Sequence, residues 1–264
     1  MSALIRRHPL VAFFALTFVL TWSVVPIGSS FAPGPLVAAI VVTAVVAGRA
    51  GLRAWGSRLI RWRVHPLWYL VAVAVPLATL AAAAASNMAL GAPTGAVHRL
   101  DAWYVLIGTF AGRLAIPLMA PIGEEPGWRG FALPRLQANA SPLRATLVLA
   151  PLVALWHVPL IFLASEDLAP VLIVATISVT FFYTWLYNRT GGSVLLTIVA
   201  HAAEGTIKLS AFGFVGVYDS RLPYLYTIAW SVVAVGLLVF DRRFWTARRA
   251  VAPLRSVPAP AAIM

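Results

Sequence analysis

Seven ionisable side chains fall within or beside the apolar stretches of this 264-residue sequence: Arg113, Glu124, Glu125, His157, His201, Glu204 and Lys208. An ionisable group inside a bilayer costs about 2.5–3.5 kcal/mol on insertion scales, so each one needs a pairing or a chemical reason. The densest group is GEEPGWRG, residues 123–130. On a helix, Glu125 and Arg129 stand four residues apart and share a face, which predicts an ion pair. Glu124 lies about 100° round the helix and has no partner inside the motif, so it is the carboxylate left free for proton transfer. Pro126 removes a backbone donor near the carbonyl of Ile122, which predicts a distortion beside the carboxylates. His157 sits in LVALWHVPLIF, and His201 sits in SVLLTIVAHAAEGT with Glu204 one turn further on. Counted from the basic helix ends, Glu124, His157 and His201 lie about 16, 18 and 12 Å deep at 1.5 Å per residue. A carboxylate and two imidazoles at one depth on three helices predict a composite site for acid–base chemistry. The same three could form an open three-ligand site for zinc or another divalent metal, with Glu204 as a further ligand. The competing expectation for Glu204 is an ion pair with Lys208 at i+4. Arg113 either pairs with a carboxylate in the cavity or marks an interfacial helix start.

The elements that position these residues must be transmembrane helices. The sequence is 61% hydrophobic and 11% charged, with a mean hydropathy of +0.88, and a water-facing surface requires more charge than that. Stretches near twenty residues, the length that crosses about 30 Å of hydrocarbon, are read at roughly 10–31, 33–48, 66–90, 103–123, 145–164, 168–187, 193–215 and 222–241. Arginines alternate between the loops. They gather at Arg6 and Arg7, at 49–63, at Arg129, Arg135 and Arg144, at Arg189, and in the tail from Arg242 to Arg255. The intervening loops are poor in Arg: none at 32–35, then Arg99 with Asp101, Glu166 with Asp167, and Arg221 with Asp219. The positive-inside rule then predicts about eight spans, both termini in the cytoplasm, and a bacterial cytoplasmic (inner) membrane location. The fold class is all-α integral membrane: one bundle over 1–245 whose intramembrane cavity opens toward the cytoplasm, with 246–264 as a disordered tail. The first apolar run exceeds a signal peptide's hydrophobic region and lacks a small-x-small cleavage site, so it is read as a retained helix. Residues 49–63, with Leu52, Trp55, Leu59 and Trp62 three or four apart, read as an interfacial amphipathic elbow. Trp103, Trp128, Tyr183, Trp185, Tyr187 and Trp230 read as interface or packing aromatics.

The formal net charge of +12 follows from the cytoplasmic loops, and no basic run is interleaved with aromatics as a nucleic-acid face requires. The expected partners are the bilayer and a peptide or protein substrate within it, with no nucleic acid. The sequence has no cysteine, which removes thiolate nucleophiles and Cys-type zinc sites.

In combination, E-E-x-x-x-R, a W-H-x-P helix and a third, His-bearing helix after N-R-T-G-G-S resemble the CPBP family. That family takes in type II CAAX prenyl endopeptidases and bacterial bacteriocin-immunity or Abi proteins. The resemblance runs closely over residues 100–215 and includes GWRGFALPRL at 127–136. It implies that Glu124 activates water with the help of His157. It also implies that His201, with an Asn four residues on, holds the oxyanion, and that Glu125 and Arg129 give structural support. Family members have been described both with and without zinc. Two positions depart from the pattern. Val153 stands where the family has an aromatic, a mild packing change, and Gly205 stands where it has the Asn. Glycine has no amide to donate, which puts catalytic competence in question more than fold.

Three functions fit these residues. The first is an intramembrane endopeptidase using a glutamate-activated water. The second is a non-catalytic scaffold or immunity-type protein of the same family, favoured by Gly205. The third is a proton-coupled transporter using the same carboxylates, which the absence of an internal repeat disfavours.

Overall fold

The computed structural model describes residues 2–28, 31–93, 101–164 and 169–247, and its regular elements are all helical. Helices α1 (Ser2–Arg7) and α2 (Pro9–Trp22) open the chain, followed by α3 (Gly34–Leu59) and α4 (Leu67–Ala89). The middle holds α5 (Trp103–Ala115), α6 (Ala120–Gly127) and α7 (Leu133–Gln137), then α8 (Pro142–Ala164) and α9 (Ala169–Arg189). Helices α10 (Val194–Glu204), α11 (Val217–Phe240) and α12 (Arg242–Thr246) complete it. Among the described residues seven helical segments are long and apolar enough to cross a membrane. The fold is an all-α membrane bundle. The charges at Arg99, Glu166, Asp167, Arg248, Arg249 and Arg255, and the tail from residue 248, lie outside the described residues.

Two expected spans take a different form. The span placed at 193–215 is the eleven-residue α10, about 16 Å long at 1.5 Å per residue, roughly half of what crossing requires. It starts sharply because Gly191 and Gly192 have φ of 65° and 88°, a left-handed turn glycine makes without strain. Ser193 then caps the helix, its Oγ accepting from the Leu196 N–H at 3.3 Å. Beyond Gly205 the chain is irregular apart from a 3₁₀ turn at Leu209–Phe212. The span placed at 103–123 runs instead from Trp103 to Gln137. It breaks after α5, resumes as α6, and widens into a π turn at Trp128–Ala132 before α7. The distortion expected at the Ile122 carbonyl is not where the helix changes: α6 runs through Ile122 and Pro126, and the wide turn begins at Trp128; π turns are often found at functional sites.

In the packing, α9 lies against α8 and α11, α4 against α10 and α11, and α6 against α3 and α10. One apolar cluster gathers Phe13, Trp128, Phe131, Leu149 and Trp156 around the π turn. A second joins Phe182, Leu186, Leu196 and Trp230 between α9, α10 and α11. The 49–59 part of α3 follows a break at Gly48, and its Trp55 Nε1 donates to the Pro126 carbonyl at 3.1 Å, covering the start of the wide turn.

The site helix approaches α3 backbone to backbone. A Cβ at Gly127 would lie 2.6 Å from the Pro35 carbonyl oxygen and 2.5 Å from its Cβ, and neither can retreat easily. Gly127→Ala is therefore expected to destabilise the protein by about 1–3 kcal/mol, the usual range for overpacking. Thermal unfolding in detergent would measure this, and an unchanged midpoint would mean the two backbones are not held in contact.

Candidate active site

Glu124 and Glu125 leave α6 side by side, 4% and 0% exposed, with Arg129 2% exposed one turn on. The predicted pair is present: Arg129 Nη1 donates to Glu125 Oε1 at 3.0 Å. The same oxygen also faces His201 Nδ1 on α10 at 3.1 Å, so Glu125 joins Arg129 to an imidazole as well as forming the expected ion pair. Arg129 further stacks over the Tyr183 ring, 4.8 Å from its centroid.

Glu124 faces the other imidazole. Its Oε2 stands 3.7 Å from His157 Nε2, beyond direct hydrogen-bond range. The orientation of His157 is fixed from behind: Nδ1 lies 2.8 Å from the Val153 carbonyl. A carbonyl only accepts, so Nδ1 carries the proton and Nε2 is the atom facing Glu124. Val153, the departure from the family aromatic, is buried and sits in the apolar cluster behind this histidine.

A cavity of about 240 Å³ joins these groups. Glu124, Glu125, Arg129, His157, His201 and Glu204 all line it, closed on one side by apolar residues of α9. The residues singled out in the sequence are thus gathered from α6, the π turn, α8 and α10.

Glu204 does not take the expected partner. Its two oxygens accept from Tyr183 at 3.0 Å and Tyr226 at 2.9 Å, and it makes no salt bridge with Lys208 among the described residues. Helix α10 ends at Glu204, so the i, i+4 relation needed for that pair does not exist. Among the described residues no group of three or more His, Asp or Glu is drawn together around one point as a metal site would be. Each imidazole already commits one nitrogen, and Glu204 is held by two phenols.

Sequence reasoning missed several participants. Trp128, taken for a packing aromatic, is fully buried and points its Nε1 at Glu124 Oε2, 3.4 Å away. Its position four residues after Glu124 was the available signal. Tyr183, taken likewise, and Tyr226 hold Glu204. Arg113 is placed at Gly205. Its Nη2 donates to the His201 carbonyl at 3.3 Å, and a Cβ at residue 205 would fall 2.0 Å from that Nη2. The space at residue 205 is filled by a guanidinium from another helix.

Residues 106–207 match the family model described as type II CAAX prenyl endopeptidase, Rce1-like. The central stretch is CPBP-like. It contains Arg113, the carboxylate motif, both histidines and Glu204. A curated relative, "CAAX prenyl protease 2" of Methanococcus maripaludis, is 24% identical over 146 residues, 52% of each chain. The chain therefore spans about half the length of the curated relative it matches. Outside that stretch lie α2, α3, α4 and α11, which pack around it; of these, α11 reaches the cavity, through Tyr226.

Proposed function

We propose that the chain is an intramembrane endopeptidase that hydrolyses a peptide bond of a membrane-associated protein or peptide, CAAX-type in its chemistry, with a water activated by Glu124. The observation that carries this reading is the 3.7 Å gap between Glu124 Oε2 and His157 Nε2. It is too long for a direct bond and suited to one water donating to both acceptors. Held so, the water turns a lone pair toward a carbonyl carbon in the cavity. As the C–O bond forms, Glu124 takes the water's proton, and the carbonyl π electrons move onto oxygen. His201, oriented through Nδ1 by Glu125, presents Nε2 to that oxygen and stabilises it as the imidazolium. When the C–N bond breaks, the electrons leave with nitrogen, Glu124 gives its proton to that nitrogen, the carbonyl re-forms with the water's oxygen as its hydroxyl, and a carboxylic acid and an amine depart. In this reading water and substrate reach the intramembrane site from the cytoplasmic side, the side on which the arginine pattern puts the basic loops.

Gly205 is compatible with this chemistry. In our reading Arg113 supplies, from α5, the hydrogen-bond donor that the family's Asn would have supplied from α10. Arg113→Ala is expected to lower kcat by about 10²–10³, the range for losing one oxyanion donor. Gly205→Asn in that background is expected to recover part of the loss, since the removed guanidinium leaves room. Wild-type rates in a stably folded Arg113→Ala protein would exclude this role.

Comparative peptidomics of membranes carrying wild-type or Glu124→Gln protein tests the function itself. Truncated products found only with wild type are expected, and identical peptide sets would overturn the proposal. A proton-coupled carrier would instead show counter-ion-dependent flux in vesicles with no new peptides.

A further inference from the structure

A second cavity, of about 230 Å³, lies at the other end of the site helix, between the ends of α3 and α9 and the turn after α7. Arg58, Arg61, Gln137, Tyr187 and Asn188 are among its walls. Gln137 is about 20 Å along the helix from Glu124 at 1.5 Å per residue, so this cavity is separate from the candidate active site.

Its charges are fixed but not neutralised. Arg58 Nη1 donates to the Gly130 carbonyl at 3.3 Å, and Arg135, beside the cavity and not one of its walls, donates from Nη1 to the next carbonyl, that of Phe131, at 3.0 Å. Adjacent carbonyls of one helix bring these two guanidinium groups close together. Arg61 Nη1 donates to the Gly191 carbonyl, and its own carbonyl accepts from Ser193 at 2.6 Å. Among the described residues no carboxylate lies within salt-bridge distance of Arg58, Arg61 or Arg135. Like charges held together without a counter-ion repel, all the more beside a low-dielectric protein interior. A second observation is independent of charge. Gln137 is 8% exposed, and its Nε2 is buried without a hydrogen-bond partner, although buried donors are nearly always satisfied. The orphan donor belongs to a wall of the same cavity.

We infer that this cavity binds a phosphate group, supplied either by the headgroup of an anionic lipid or as free phosphate. Guanidinium groups bind phosphate oxygens in paired, charge-assisted bonds. A tetrahedral anion offers enough acceptors for Arg58, Arg61 and the Gln137 amide together, where a carboxylate offers two oxygens.

The full chain purified in detergent provides the test. Thermal unfolding with inorganic phosphate is compared with acetate and chloride at equal ionic strength, and native mass spectrometry compares retained phosphatidylglycerol with phosphatidylcholine. A saturable phosphate-specific rise in the midpoint, or about tenfold preferential retention of phosphatidylglycerol, is expected. Displacement of that lipid by phosphate assigns both sources to one site. A phosphate response without lipid preference assigns free phosphate, and lipid preference without a phosphate response assigns the headgroup. Arg58→Gln should remove the effect. Gln137→Met, which keeps charge and approximate volume, should weaken it even if Arg58→Gln fails to fold. Equal responses to acetate and phosphate with no lipid preference, or a Gln137→Met protein that behaves as wild type, would overturn the inference.

Discussion

Glu124→Gln is expected to lower the rate of peptide cleavage in proteoliposomes by about 10²–10⁴, the contribution of a positioned general base, while leaving the protein folded. The two halves of this expectation have separate causes. Gln has nearly the shape of Glu, and its amide oxygen can still accept from Trp128 Nε1, which now stands 3.4 Å from the carboxylate. The apolar packing around Trp128 and Trp156 should therefore hold. The amide cannot take a proton from water, and His157 would be left as the single acceptor beside it. Initial rates on a single-span reporter substrate, with unfolding midpoints measured on the same preparation, check both halves. A variant cleaving within threefold of wild type would remove Glu124 from the chemistry, whatever its surroundings.

Arg129→Met is expected to destabilise the fold by about 3–5 kcal/mol, the cost of leaving one member of a buried ion pair unpaired. Both members are almost wholly inaccessible, Arg129 at 2% and Glu125 at 0%. Removing the guanidinium leaves Glu125 Oε1 with His201 alone, and the cation over the Tyr183 ring is also lost. The double variant Arg129→Met with Glu125→Met should regain part of the stability, because the buried carboxylate is then no longer left without its guanidinium, although His201 loses its partner. Unfolding of wild type, both singles and the double, in one detergent, gives the cycle. A single variant as stable as wild type would show that the pair is not under the constraint its burial implies.

Much of the site was legible in the sequence for a simple reason. Ionisable residues in apolar helices are few, so Glu124, Glu125, Arg129, His157, His201 and Glu204 stand out by residue type alone, and they line one cavity. Local spacing read the Glu125–Arg129 pair correctly because both lie within one helical turn. The same rule failed for Glu204 and Lys208, since the helix ends between them. Periodicity found hydrophobic length but could not show that the 193–215 stretch stops being helical after Glu204. Nor could it show that the wide turn carries the helix of Glu124 on to Gln137. Long-range partners were invisible. Nothing near Tyr183 or Tyr226 in the sequence points to Glu204, and nothing near Arg113 points to Gly205.

The π turn at Trp128–Ala132 sets the angular phase between the two ends of its helix. An extra residue accommodated there rotates everything beyond it by about 100° relative to an uninterrupted α-helix. Closing that turn to ordinary α pitch without removing a residue would leave the carboxylates pointing where they do and swing Gln137 away from the cavity at the basic end. The relative bearing of the two cavities along this helix is thus set by one wide turn.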